Sequence, residues 1–477
     1  MSTLLVEGGT VVTASGAQRA DVLVDGEQVV ALLAPGGPAR PPEGCRRIDA
    51  TGKLVVPGGI DVHTHMEMPF GGTRSADTFS SGTRAAAHGG TTTIVDFAIQ
   101  PRGGSAREGL ETWAARAEGH CAIDFGFHMI LSDVTEPVLK EMPGLVDDGV
   151  TSFKLFMAYP GVFYSDDGQI LRAMQTAAGC GALVMMHAEN GIAIDVLVSQ
   201  ALARGAGDPR MHGETRPSVL EGEATHRAVV LAGVAGCPLY IVHLSATEAL
   251  AEVAAARDAG RQVFAETCPQ YLFLDEALMA APGFEGAKYV CSPPIRARAH
   301  HEALWRGLGT GDLSVVSTDH CPFCMKDQKE LGRGDFSKIP NGLPGVEHRM
   351  DLVYQGVVDG RLSLARWVEL TSTAPARLFG MYPKKGSLLP GADADLVVYD
   401  PDRRHTLSAS SHHMAVDYSA YEGTEVTGGV DVVVSRGEVV VEHGEFTGTE
   451  GHGRFVPRAP FGGLDVPARG PNAVGRP

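Results

Sequence analysis

Leu54-Val55-Val56-Pro57-Gly58-Gly59-Ile60-Asp61-Val62-His63-Thr64-His65 carries an apolar strand pattern directly into an HxH pair. Side chains on a strand alternate faces, so His63 and His65 point the same way, with Asp61 on their side as an orienting group. Two imidazoles converging where a strand meets a loop can hold a divalent metal and keep positions open for chemistry. The pair alone leaves two readings, a metal site or two histidines sharing an exposed strand face by chance. Further ligand types, each at the end of its own apolar segment, favour the metal.

From this stretch onward, apolar runs alternate with Ala-rich, helix-like stretches, the signature of repeated βα units. The runs cover 59–65, 92–98, 123–131, 152–157, 183–188, 239–244, 262–267 and 313–318. Helical patterns fill 80–88, 110–118, 137–147, 170–180, 192–204, 221–235 and 247–258. This count predicts an α/β fold, a (β/α)8 TIM barrel with its active site at the C-terminal ends of the strands. A doubly wound open sheet is the alternative, and no GxGxxG turn follows an early strand to support it.

Short strand patterns flank the barrel at 3–6, 10–13, 21–24, 28–33, 46–48 and 53–56, and again at 394–399, 430–435 and 438–442. They predict one small β-sandwich built from both termini, interrupted by a proline-rich link at 35–42. The expected divisions are 1–56 and 386–457 for the sandwich and 57–385 for the barrel, with 458–477, rich in Pro, Gly and Arg, as a surface arm or tail.

The expected strands end in chemistry: His63 and His65 on the first, Lys154 on the fourth, His187 on the fifth, His243 on the sixth, and Asp319 after the eighth. Singly, His187 and His243 read as hydrogen-bonded core histidines and Asp319 as the cap of a turn. Jointly, a buried cluster of this kind needs a charge partner to offset its desolvation, and two metal ions supply one. Lys154 is the odd member, because an ammonium would be repelled by cations. A neutral lysine amine can instead add carbon dioxide, giving a carbamate able to bridge two metals roughly 3.5–4 Å apart.

Composition bounds the rest. The 477 residues, 44% hydrophobic and 20% charged, suffice for one large and one smaller domain. A formal charge of -17 argues against nucleic acid or an anionic membrane as partner. The 8 cysteines are scattered without a framework spacing, and Cys321-Pro322-Phe323-Cys324 has no second pair, so an ordinary loop is expected there. With no leader-like start and no bilayer-length apolar run, the expected location is the cytoplasm.

The chain resembles the dihydropyrimidinase and D-hydantoinase group of cyclic amidohydrolases. The resemblance rests on the 57–65 motif, Phe153-Lys154-Leu155-Phe156-Met157-Ala158-Tyr159, Cys291-Ser292-Pro293-Pro294-Ile295-Arg296, Ser317-Thr318-Asp319-His320-Cys321-Pro322-Phe323, Asn341-Gly342-Leu343-Pro344-Gly345-Val346-Glu347 and Gly391-Ala392-Asp393-Ala394-Asp395-Leu396-Val397. It implies two zinc ions: His63, His65 and Asp319 on one, His187 and His243 on the other, with carboxylated Lys154 and a hydroxide bridging them. It further implies Asp319 as proton shuttle, Tyr159 as oxyanion donor, backbone groups of Ser292 and Asn341 as ring-binding elements, and a homotetramer. The reaction implied is the opening of dihydropyrimidines or 5-substituted hydantoins to N-carbamoyl amino acids.

Dihydroorotase-like enzymes usually carry an arginine soon after HxH, whereas Met66-Glu67-Met68-Pro69-Phe70 follows here, which favours a neutral ring. Met66, Met68, Phe70, Phe156 and Phe163 are the expected apolar walls. The competing readings are an allantoinase-like ureide hydrolase and a non-catalytic interaction protein resembling the neuronal collapsin-response proteins, which lack the metal ligands.

Overall fold

The computed structural model describes residues 3–35 and 44–462. Most of the proline-rich link, and the tail beyond residue 462, lie outside the described residues. The 8-stranded parallel sheet runs in sequence order: β1 (Gly59–Thr64), β2 (Thr91–Ile99), β3 (Asp124–Ile130), β4 (Ser152–Phe156), β5 (Leu183–His187), β6 (Leu239–Ile241), β7 (Val263–Thr267) and β8 (Val315–Val316). A parallel bridge between Thr64 and His320 closes the barrel, reinforced by the His65 amide donating to the His320 carbonyl at 2.9 Å.

Period-two alternation sorts each strand's side chains. On β5, Leu183 and Met185 fill the barrel interior while Val184 and Met186 pack against the surrounding helices, which brings His187 to the inner face. On β4, Phe153 and Leu155 pack outward and Phe156 belongs to the inner cluster, so Lys154 shares the inner face. Every residue of β7 is buried, with Phe264 inside and Ala265 outside, so Glu266 also faces in.

The sandwich is built from both termini. Its 4-stranded sheet holds Gln28–Leu33, Asp21–Asp25, Thr3–Glu7 and Arg46–Asp49. Its 7-stranded sheet joins Thr10–Thr13 and Leu54–Pro57 to Leu396–Thr406, Glu425–Ser435 and Glu438–Glu442. Val11, Val22, Val24, Val55, Leu396, Val398 and Val432 form the core between the sheets.

Three expectations need correction. The strand expected at 313–318 is only Val315–Val316, because Thr318 gives its amide and hydroxyl to the Asp61 carboxylate, at 3.2 and 2.6 Å, and leaves the ladder. The strand Gly16–Arg19 has no apolar alternation and was not expected; it pairs through its backbone with Thr10–Thr13 while Gln18 and Arg19 stay exposed. The segment 458–462 is no surface arm. Arg458 is buried, donating to Ser152 Oγ at 3.0 Å and to the Phe127 carbonyl, and the Phe461 amide donates to Gly181 O at 2.9 Å.

Candidate active site

One cavity at the strand ends is lined by His63, His65, Lys154, Tyr159, His187, His243, Ser292, Asp319 and Asn341 together. Strand geometry delivers some of these directly and others only through backbone outside the normal range. Tyr240 and Val242 lie in the inner cluster, so a regular continuation would send His243 outward; its φ of 39° turns it to the cavity instead. Asp319 at φ 52° and Tyr159 at φ 61° are likewise left-handed. Each such non-glycine residue costs roughly 1–3 kcal/mol and persists only where its surroundings enforce it.

Asp319 Oδ1 lies 3.2 Å from His63 Nε2 and 3.1 Å from His65 Nε2. One ligand atom from each of the three falls within 4.8 Å of the others. The His187 and His243 rings follow, with centroids 4.5 Å apart, and Lys154 Nζ stands 3.5 Å from His63 Nε2. His65 Nδ1 and His243 Nδ1 are buried with no hydrogen-bond partner. Nitrogen-and-carboxylate donors gathered around a shared space, with orphaned imidazole nitrogens, suit a divalent cation of the zinc type.

Electrostatics agree with that donor set. Burial pushes His63 and His243 far below the ordinary imidazole range and lowers His65, so all three are neutral bases ready to donate a lone pair. Burial also lowers Lys154, towards the amine, beside the faces of Phe97 and Phe156. Burial raises the Tyr159 hydroxyl above the usual phenol range, while the side chains of Ser292 and Asn341 pull the other way. It is a donor at any working pH.

Around this centre stand residues that sequence reasoning missed. His63 Nδ1 is paired with Glu266 Oε1, while the other Glu266 oxygen accepts from Tyr240 at 2.9 Å. Glu266, not Asp61, is therefore the group that orients His63; Asp61 instead ties β1 to Thr318. His187 Nε2 is held by Glu189 at 2.8 Å. The signal for Glu266 was a lone carboxylate in an apolar run, and for Glu189 its place two residues after a histidine. Met68, Phe70, Phe156 and Phe163 do line the cavity, but Met66 does not: it packs in the outer core, close to Gly82.

The sequence profile of the Amidohydrolase family matches residues 54–440. The chain belongs to the amidohydrolase family. A D-hydantoinase from Streptomyces coelicolor is 66% identical over 459 residues, 96% of this chain and 98% of that one. A D-hydantoinase from Geobacillus stearothermophilus is 49% identical, covering 97% and 98%. The crystal structure of dihydropyrimidinase from Brevibacillus agri NCHU1002 superposes with a TM-score of 0.94 at 48% identity, over 96% of this chain and 99% of that one. Within the family the chain falls in the hydantoinase and dihydropyrimidinase group, and it is a hydrolase of cyclic amides.

Proposed function

We propose that this enzyme opens the rings of 5-substituted hydantoins and 5,6-dihydropyrimidines to N-carbamoyl amino acids at a centre of two zinc ions. The observation that carries the reading is the His63–His65–Asp319 triplet beside the His187–His243 pair and Lys154, in a cavity walled by aromatic side chains. His63, His65 and Asp319 would hold one ion, and His187 and His243 the other. The Lys154 amine would add carbon dioxide and release a proton, supplying an anion as a further ligand for the ions. When bound, the ions polarise the substrate carbonyl and lower the pKa of the attacking water to roughly 7.

The chain's own groups do the rest. The Tyr159 hydroxyl donates to the carbonyl oxygen as negative charge develops there, which stabilises the transition state more than the ground state. Asp319 accepts the proton of the attacking water and delivers it to the ring nitrogen as the carbon–nitrogen bond breaks; an amide nitrogen is too basic to leave unprotonated. Backbone groups of Ser292 and Asn341 bind the remaining polar edge of the ring and aim its carbonyl. Met68, Phe70, Phe156 and Phe163 receive the ring substituent and exclude water.

The reading extends to a cytoplasmic homotetramer acting on a small cyclic amide, without nucleic acid or membrane. Ile192, Val196 and Val234, exposed apolar side chains on helices Gly191–Ala203 and Ser218–Ala235, support assembly. Among the described residues no helix is long and apolar enough to cross a membrane. The functional test compares ring opening of dihydrouracil, a 5-substituted hydantoin, allantoin and dihydroorotate. Turnover of the first two is expected to exceed that of the others; preference for allantoin or dihydroorotate, or no turnover, contradicts the proposal.

A further inference from the structure

Lys329 is fully buried, yet among the described residues its ammonium pairs with no carboxylate. Its protons go to the carbonyls of Val290 at 2.8 Å, Pro340 at 2.7 Å and Gly342 at 2.8 Å. These residues flank the ring-binding pair: Val290 lies two before Ser292, and Pro340 and Gly342 stand on either side of Asn341. The two segments also meet directly, the Gly342 amide donating to Val290 O at 3.0 Å and Asn341 Nδ2 to Ser292 Oγ at 3.1 Å. Gly342 has φ 151°, and a Cβ there would fall 2.2 Å from the Cys321 carbonyl, so the backbone is pressed against its neighbour.

Among the described residues, the backbone amides and carbonyls of Ser292 and Asn341 have no hydrogen-bond partner in the protein, although Ser292 is buried. Nearly all buried backbone polar groups are paired in folded proteins, so groups left free beside a cavity are groups kept for a ligand. A buried ammonium is a costly way to add stability, since an apolar side chain of similar volume does as well. What three fixed N–H donors give in return is geometry. By binding the Pro340 and Gly342 carbonyls, Lys329 fixes the backbone on both sides of Asn341, which lines the cavity together with Ser292.

We propose that Lys329 is a positioning residue: its ammonium clamps the Ser292 and Asn341 segments together and holds their free backbone groups towards the ring of the substrate. The inference rests on the ring-opening function proposed above and assigns Lys329 no contact with substrate.

The test is Lys329→Met in the full-length, zinc-loaded protein, which keeps the aliphatic stem and deletes the donors. Zinc content is expected to stay unchanged, KM for a 5-substituted hydantoin to rise about ten-fold or more with little change in kcat, and the Gly342 amide to exchange faster. A folded, zinc-loaded variant with wild-type KM overturns the proposal. Should that variant not fold, Lys329→Ala is assayed with ethylammonium and with tetramethylammonium, which carries the same charge but no N–H. Recovery of KM by ethylammonium alone supports the clamp; no recovery, or equal recovery by both, overturns it. A wild-type enzyme inactive on every ring counts against the function instead, and the clamp is then judged on Gly342 exchange, which must accelerate in Lys329→Met or the proposal fails.

Discussion

At the scale of single residues, the cavity separates groups that touch the reacting atoms from groups that hold them. Tyr159→Phe keeps the ring and deletes only the hydroxyl, so fold and metal content should survive while turnover falls about a hundred- to a thousand-fold, as for loss of one oxyanion donor. Unchanged turnover in a metal-loaded variant would make Tyr159 a packed aromatic. Glu266→Gln acts one step further out, through His63 Nδ1. It should weaken zinc binding about 10–100-fold, read by competition with a chelator, with the fold intact. The histidines, Lys154 and Asp319 were legible because each is a lone polar side chain ending an apolar run, whereas Tyr159, Ser292 and Asn341 came only from the family resemblance. The histidines' partners were not legible: Glu266 meets His63 across the barrel interior, from a strand some two hundred residues later, and no local pattern encodes that meeting.

At the scale of elements, the seam between β1 and the segment after β8 fixes where Asp319 stands. Asp61 is fully buried and accepts from the amide and hydroxyl of Thr318, with the Arg349 guanidinium 3.8 Å away. Thr318→Val keeps the shape and removes the hydroxyl donor, leaving a buried carboxylate oxygen short of a partner. The expected loss is about 1–3 kcal/mol in denaturant unfolding, with weakened zinc binding because Asp319 is the next residue. Wild-type stability and zinc affinity would show that the seam does not set the site. The barrel followed from the repeated βα units, and Lys154 and His187 from their places in the apolar runs of β4 and β5. The end of β6 and the shortness of β8 did not, because a left-handed turn at His243 and a side-chain bond at Thr318 override the apolar pattern.

At the scale of the molecule, charged and titratable groups join the barrel to the sandwich. Lys385 is buried between Asp124 at 2.5 Å, Asp395 at 2.6 Å and Asp393 at 3.0 Å, with Arg436 also on Asp124. Lys385→Ala strands these carboxylates and should cost about 3–5 kcal/mol of unfolding free energy, while the protein that remains folded keeps its turnover. No loss would show that the junction is held by apolar contacts alone. Burial also holds His88 and His348, beside the cleft between the domains, down to about 3 from an ordinary 6.5. The unfolded chain binds more protons than the folded one between those limits, so this stability is complete above pH 6.5 and is lost as pH falls through the window. His348→Phe should therefore flatten the fall in melting temperature on acidification; an unchanged slope contradicts that account. A terminally assembled sandwich was legible because paired apolar strands appear at both ends of the chain, whereas this junction consists of charges that look like surface residues in sequence. The central claim, a hydrolytic centre of two zinc ions, meets its most direct test in a zinc titration of chelator-stripped protein, followed by opening of a 5-substituted hydantoin. Activity should be absent at the start and saturate at two zinc equivalents per chain. Full activity in protein shown by elemental analysis to be metal-free would contradict it.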